Sequence, residues 1–152
     1  MIQVKDILEK DPGRFYSVAK SQAVTEAIQQ MSGREVSALV VMDPDTESVE
    51  GIFTERDLVR CHLLFPDRAM DDIPVEDVMV TKLIVAEPSD TVDDAMAMMI
   101  QAKIRHLPVV RDKKIVSLLA LEDLVKSHVG ALTRELHYLK DYISDLQDAA
   151  HD

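Results

Sequence analysis

Residues 51–57, Gly51-Ile52-Phe53-Thr54-Glu55-Arg56-Asp57, run an apolar strand into a polar helix start. The chain repeats the phrase as Ser117-Leu118-Leu119-Ala120-Leu121-Glu122-Asp123. Downstream, Leu58 and Val59 return as Leu124 and Val125. Upstream, Val24, Ala27, Ile28 and Met31 return as Val92, Ala95, Met96 and Met99, a spacing that puts each set on one helical face. The offset is 68 positions from Val24 to Val92 but 66 from Thr54 to Ala120. A two-residue deletion therefore falls in the intervening loop, 43–50 in the first copy and 111–114 in the second, where a change of length is well tolerated.

Each copy opens on a short helix or turn, 4–8 and 75–79. An extended piece follows at 15–19 and 83–86, then a helix at 23–32 and 91–103. Asp90, with Asp93 three residues on, reads as a capping box at the start of the second of these helices. Two apolar strands come next, 38–42 with 49–53 and 106–110 with 115–119, and a second helix closes each copy. The expectation is an α+β fold of two repeats, 1–64 and 75–128, with a linker at 65–74 bracketed by Pro66 and Pro74. A unit this small exposes an apolar sheet face that it cannot cover alone, so the repeats are expected to pair through their sheets around a pseudo-twofold axis. Beyond them Val125, Val129, Leu132, Leu136, Leu139, Ile143 and Leu146 follow alternating steps of 4 and 3, a heptad seam. This predicts a long amphipathic helix over 129–152 that pairs with a second copy, the alternative being a helix laid back on its own domain. Gly130 weakens it locally by roughly 1 kcal/mol relative to Ala.

Seventeen basic against 28 acidic residues give a net charge of -11, which repels nucleic-acid polymers and anionic membrane surfaces. No stretch reaches the roughly 20 apolar residues of a membrane helix. The single Cys61 forms no internal disulfide, and the expected compartment is the cytoplasm. Histidines at 62, 106, 128, 137 and 151 show no metal-ligand spacing, and Cys61 beside His62 has no visible orienting partner. The acidic pairs Asp71-Asp72 and Asp93-Asp94 read as turns and helix starts. The chain is therefore expected not to be an enzyme.

Three strings together resemble a tandem pair of CBS domains, a Bateman module, over roughly residues 1–128. Residues 51–57 are similar to the family's ribose motif of Gly, then Thr or Ser, then Asp. Ile104-Arg105-His106-Leu107-Pro108-Val109-Val110 is close to its second-strand signature. The repeat leads end alike, in Asp6-Ile7-Leu8 and Asp77-Val78-Met79. The resemblance implies a regulatory sensor without a catalytic cofactor. Its cleft between the repeats would take AMP, ADP, ATP or S-adenosylmethionine and signal through repeat orientation and homodimerisation to an unknown effector protein. Asp57 would accept the vicinal ribose hydroxyls, with Thr54 one helical turn earlier at the same sugar; the same pair is also a helix-capping pair. Arg105 and His106 are implied at the phosphate, the alternative being a solvated strand end. Arg56 is a third phosphate candidate or a surface helix residue. Ser17, Val18, Val36, Ser37 and Ala38 are implied around the adenine, though core packing explains them equally well. In the second copy Ser117 replaces the Gly and Ala120 the Thr, while Asp123 remains, so its site is expected to be vestigial or weaker. The rival reading is a CBS pair that binds nothing and serves as a dimerisation scaffold through its coiled tail.

Overall fold

A computed structural model describes residues 1–10 and 15–129. The first repeat comprises α1 (Val4–Lys10), β1 (Ser17–Ala19), α2 (Val24–Arg34), β2 (Ala38–Met42), β3 (Val49–Thr54) and α3 (Glu55–Leu64). The second has a 3-10 turn, Val75–Asp77, in place of the first helix, then α4 (Val92–Ala102), β4 (His106–Arg111), β5 (Lys114–Ala120) and α5 (Leu121–His128). The predicted heptad helix beyond Val129 lies outside the described residues.

Equivalent sequence makes equivalent joints. α2 and α4 both stop at a residue in the left-handed region, Glu35 at φ 55° and Lys103 at φ 58°. In each, the next amide reaches back to close the last turn, Val36 N to Met31 O and Ile104 N to Met99 O, both at 3.0 Å. The deletion between the hairpin strands has a geometric counterpart. β4 turns into β5 through Asp112 and Lys113, both at positive φ, the two-residue turn whose twist matches that of paired strands. β2 and β3 are instead joined by a longer loop.

The two sheets differ. β1 pairs in parallel with β2, and β2 antiparallel with β3. The corresponding extended piece at 83–86 forms no strand; it is reduced to one parallel bridge, Ala86 with Val109, beside the two-stranded β4–β5 sheet. The helix start at residue 91 also departs from expectation. Thr91, not Asp90, is the N-cap of α4, its hydroxyl accepting from Asp94 N at 3.1 Å, while the Asp90 carboxylate accepts from Glu87 N in the preceding turn. An Asp one residue before the cap finds its nearest amide donor in the turn, not in the helix.

Alternation along β2 and β3 sends Leu39, Val41 and Phe53 into a core with Val18, Val24, Ala27 and Met31. A second core holds Ala86, Val92, Ala95, Met99, Leu107, Val109, Leu119 and Leu124. Neither is completed by its own repeat. Val4 of α1 is buried in the second core, and Ile73, Val75 and Val78 are buried in the first. Matching backbone bonds hold the exchange, Val24 N to Ile73 O at 2.8 Å and Val92 N to Ile2 O at 2.9 Å. Each lead thus covers the other repeat's helix, a reciprocal arrangement of the kind a twofold relation between repeats produces. The opposite face of β2 is buried as well, through Ala38 and Val40. Just before β2, Ser37 Oγ lies 2.9 Å from His106 Nε2 of the second repeat.

Candidate functional site

A cleft of about 400 Å³ opens where β3 enters α3 and faces β4. Its position follows from two joints. The first amide of α3, Glu55 N, donates to Ser37 O at 3.3 Å, and the first amide of α5, Leu121 N, donates to Arg105 O at 2.8 Å. Each helix start is therefore fastened to the residue just before the first hairpin strand of its own repeat, β2 or β4. Ser37 and His106 then bring those two strands together across the repeats.

One wall is the segment that follows the second lead. Val80 pairs with Ile52, each donating its amide to the other's carbonyl, at 2.9 and 3.0 Å. This approach explains Gly51, since a Cβ there would lie 2.6 Å from Val80 O and 2.8 Å from Met79 Sδ. The chain then runs past the cleft as Lys82, Leu83 and Ile84, which line it with Ile104 and Pro108 opposite.

The polar lining comes from both repeats: Thr54, Glu55, Arg56 and Asp57 from the first, Arg105 and His106 from the second. Asp57 is only 1% exposed. Its Oδ2 accepts from Thr54 N at 2.8 Å, and its Oδ1 lies 3.3 Å from the Arg60 guanidinium. Burial pushes its carboxyl above the usual range, opposed by the Thr54 amide and by Arg60. His106 is held below its ordinary value, chiefly by burial, so the imidazole that meets Ser37 is neutral at pH 7. Arg56 sits at the rim and donates to Lys103 O at 3.1 Å, a second polar link between the repeats.

Of the residues singled out in the sequence, Thr54, Asp57, Arg56, Ser37, Arg105 and His106 meet at this cleft, although they lie up to 69 positions apart. Ser17, Val18, Val36, Ala38 and Asp123 are not among the residues that line it. Val18 points into the first core and Val36 packs against that core. Asp123 accepts from Ala120 N at 2.9 Å at the start of α5, the mirror of Asp57 and Thr54 without the cleft. One wall is formed by Val80 and residues 82–84, with Val80 paired to Ile52 of the first repeat while Ala86 stays bridged to Val109 of the second. Neither Lys82 nor Arg60 was singled out in the sequence, and only the fold brings Lys82 to the cleft. The signal for Arg60 was its spacing of three from Asp57, one helical turn along the same face.

Among the described residues no helix is long and apolar enough to cross a membrane. The family model for the CBS domain matches twice, at residues 4–63 and 75–130. The CBS domain-containing protein CBSX3, mitochondrial, of Arabidopsis thaliana is 35% identical over 134 residues, which cover 86% of this chain and 65% of that protein. The chain therefore spans somewhat less than two thirds of that relative. The crystal structure of the CBS domain NE2398 superposes with a TM-score of 0.79 at 32% identity, covering 86% of this chain and 100% of that one. Two structures at 23% identity share the fold. CBSX2, in complex with AMP, has a TM-score of 0.68 and covers 85% of this chain and 97% of its own. The CBS domain pair of MJ0100, in complex with 5'-methylthioadenosine and S-adenosyl-L-methionine, has a TM-score of 0.72 and covers 86% and 98%. The duplicated model match, the relatives and the architecture agree, and the chain belongs to the CBS-domain family as a tandem pair.

Proposed function

We propose that the cleft binds an adenosine derivative and that the protein is a non-catalytic regulatory module. The observation that carries this reading is the convergence, in one cleft, of Thr54 and Asp57 from the first repeat with Arg105 and His106 from the second. The cleft's volume of about 400 Å³ falls within the range of small-molecule sites. Its apolar walls, Ile52, Val80, Leu83 and Ile84, suit a flat base. Asp57 takes the ribose hydroxyls, and Arg105, with Lys82 and Arg56 at the rim, takes the phosphate. Three cations face Glu55 and an Asp57 already paired with Arg60. In a chain of net charge -11 this concentration of positive charge favours AMP, ADP or ATP over the sulfonium of S-adenosylmethionine. The ligands carried by CBSX2 and MJ0100 support the adenosyl class.

Because the cleft draws its polar groups from both repeats, occupancy biases their relative orientation, which is the differential contact that coupling requires. The readout in this reading is a homodimer, formed through the repeat faces and residues 129–152, and an effector protein. The compartment is the cytoplasm. The test is isothermal titration of wild type and Asp57→Ala with AMP, ADP, ATP and S-adenosylmethionine. Binding by wild type that drops at least tenfold in the variant is expected; a chain that takes up none of the four refutes the sensor reading.

A second reading, a scaffold that binds nothing, is favoured by two observations. Asp57 already uses both carboxylate oxygens within its own helix start. Val59 and Leu63, one turn apart on α3, are 62% and 72% exposed and form an apolar strip suited to a second copy. Sedimentation showing a dimer with no nucleotide uptake is the outcome that selects it.

A further inference from the structure

Arg60 lies just outside the cleft, its guanidinium 3.3 Å from Asp57 Oδ1 and 3.3 Å from Val78 O. It therefore joins two parts of the fold: the first turn of α3, through the Asp57 carboxylate, and the exchanged lead whose next residues, Met79 and Val80, close on β3. We propose that Arg60 is a positioning residue of this cleft, fixing the Asp57 carboxylate in the direction a ribose meets it and anchoring it to the lead of the second repeat. The inference rests on the reading of the cleft as an adenosine-ligand site.

Helix capping does not account for the arginine. The same cap, a carboxylate accepting the amide three residues earlier, is made at 2.8 Å by Asp57 and at 2.9 Å by Asp123. Yet the position equivalent to Arg60 is Lys126, and no cation pairs with Asp123 among the described residues. The helix start is thus complete without a paired cation, and the cation is present where the carboxylate borders the cleft. Of the two Asp57 oxygens, Oδ2 is committed to Thr54 N. The lone pairs of Oδ1 remain for the sugar, and Arg60 sets their direction while occupying one of them.

The charged and titratable groups around Asp57 are Arg60, Glu55 and Arg56 on α3, Arg105 and His106 from the second repeat, and Lys82 on the 80–84 wall. Arg60 is the one in direct contact, so removing it leaves the effect of burial less opposed and the carboxyl takes up a proton at higher pH. Ligand uptake that needs the ionised carboxylate then weakens as the pH is lowered.

The experiment is titration of the full chain with AMP between pH 5.5 and 8.5, for wild type, Arg60→Met, Arg60→Lys and Asp57→Ala. Arg60→Met is expected to bind AMP like wild type towards pH 8.5 and, on acidification, to begin losing affinity at a higher pH than wild type does. Arg60→Lys is expected to recover most of the affinity. If Arg60→Met does not fold, Arg60→Gln carries the same pH test, because it keeps a donor for Val78 O and removes only the charge. Arg60→Met binding like wild type at every pH overturns the positioning role and leaves the cleft reading standing. So does a loss of equal size at every pH that Arg60→Lys does not recover, since that is the behaviour of an arginine needed only for packing. If wild type binds neither AMP nor the other three ligands, the functional reading falls, and the role of Arg60 with it.

Discussion

Replacing Gly51 by Ala tests the joint on which the cleft depends. Gly51 has no positive φ to require a glycine; what requires it is the approach of the next segment. An added methyl would sit 2.6 Å from Val80 O. Ordinary carbon-to-carbonyl contacts begin near about 3.3 Å, so the segment has to retreat by roughly 0.7 Å. Met79 Sδ, at 2.8 Å, can swing aside because its side chain is flexible, but Val80 O belongs to the backbone. Its retreat lengthens both bonds between Val80 and Ile52, now 2.9 and 3.0 Å, beyond hydrogen-bonding range. At about 1 kcal/mol for each bond the expected destabilisation is about 2 kcal/mol. For a chain of this size that corresponds to a Tm lower by about 4–8 °C. Thermal unfolding followed by circular dichroism measures it, with Gly33→Ala as the control. Gly33 lies in α2 with nothing within 4 Å of its added Cβ, so that substitution is expected to stabilise by about 0.5–1 kcal/mol through helix propensity. Because residues 80–84 form a wall of the cleft, Gly51→Ala is also expected to weaken adenylate binding. A Gly51→Ala chain that melts within about 1 °C of wild type refutes the argument that close backbone approach selects the glycine.

Ser117, at the position equivalent to Gly51, is fully buried and its hydroxyl has no partner among the described residues, so Ser117→Ala is expected to be neutral or to stabilise by about 1 kcal/mol in urea unfolding; a loss of that size instead means that the hydroxyl is satisfied in solution. His106 has its folded pKa below the unfolded value of about 6.5, so its contribution to stability is complete above that pH and is lost as the pH falls through the folded pKa. Wild type is therefore expected to lose stability between about pH 7 and 5 more steeply than His106→Gln, and equal slopes in denaturant titrations rule this out. A bound phosphate favours the protonated ring, so AMP affinity of wild type relative to that of His106→Gln is expected to rise as the pH falls over the same interval. Asp57→Asn keeps an acceptor for Thr54 N and removes the buried charge. Its Tm at pH 7 should stay within a few degrees of wild type while AMP binding drops at least tenfold, and undiminished binding disproves the ribose role.

The repeats, their helices and hairpins and the two-residue deletion were legible because each is written in short-range terms: a helical face at Val24, Ala27, Ile28 and Met31, an apolar run, a turn. Thr54 and Asp57 were legible as a pair for the same reason, and so was their ambiguity between sugar and helix cap, since one spacing serves both. The second copy's extended piece was overestimated because 83–86 carries the apolar pattern of a strand, and only pairing with a neighbour decides whether one forms. The start of α4 was misplaced by one residue because Asp90 and Thr91 are both good caps, and the choice depends on where the preceding turn puts its amides. The exchange of leads could not be read at all. Val4 and Val75 are each apolar enough for either core, and periodicity carries no information about which one they close.

From residue order alone this protein is a duplicated α+β pair with one polar copy and one depleted copy. The tertiary structure decided which segments complete which core, which wall faces Thr54 and Asp57, and which cation holds the carboxylate. Local sequence determines which side chains share a face, but a cleft between two repeats is made by burial of apolar surface from distant parts of the chain. The partner that covers each face is chosen by the fit of the whole fold.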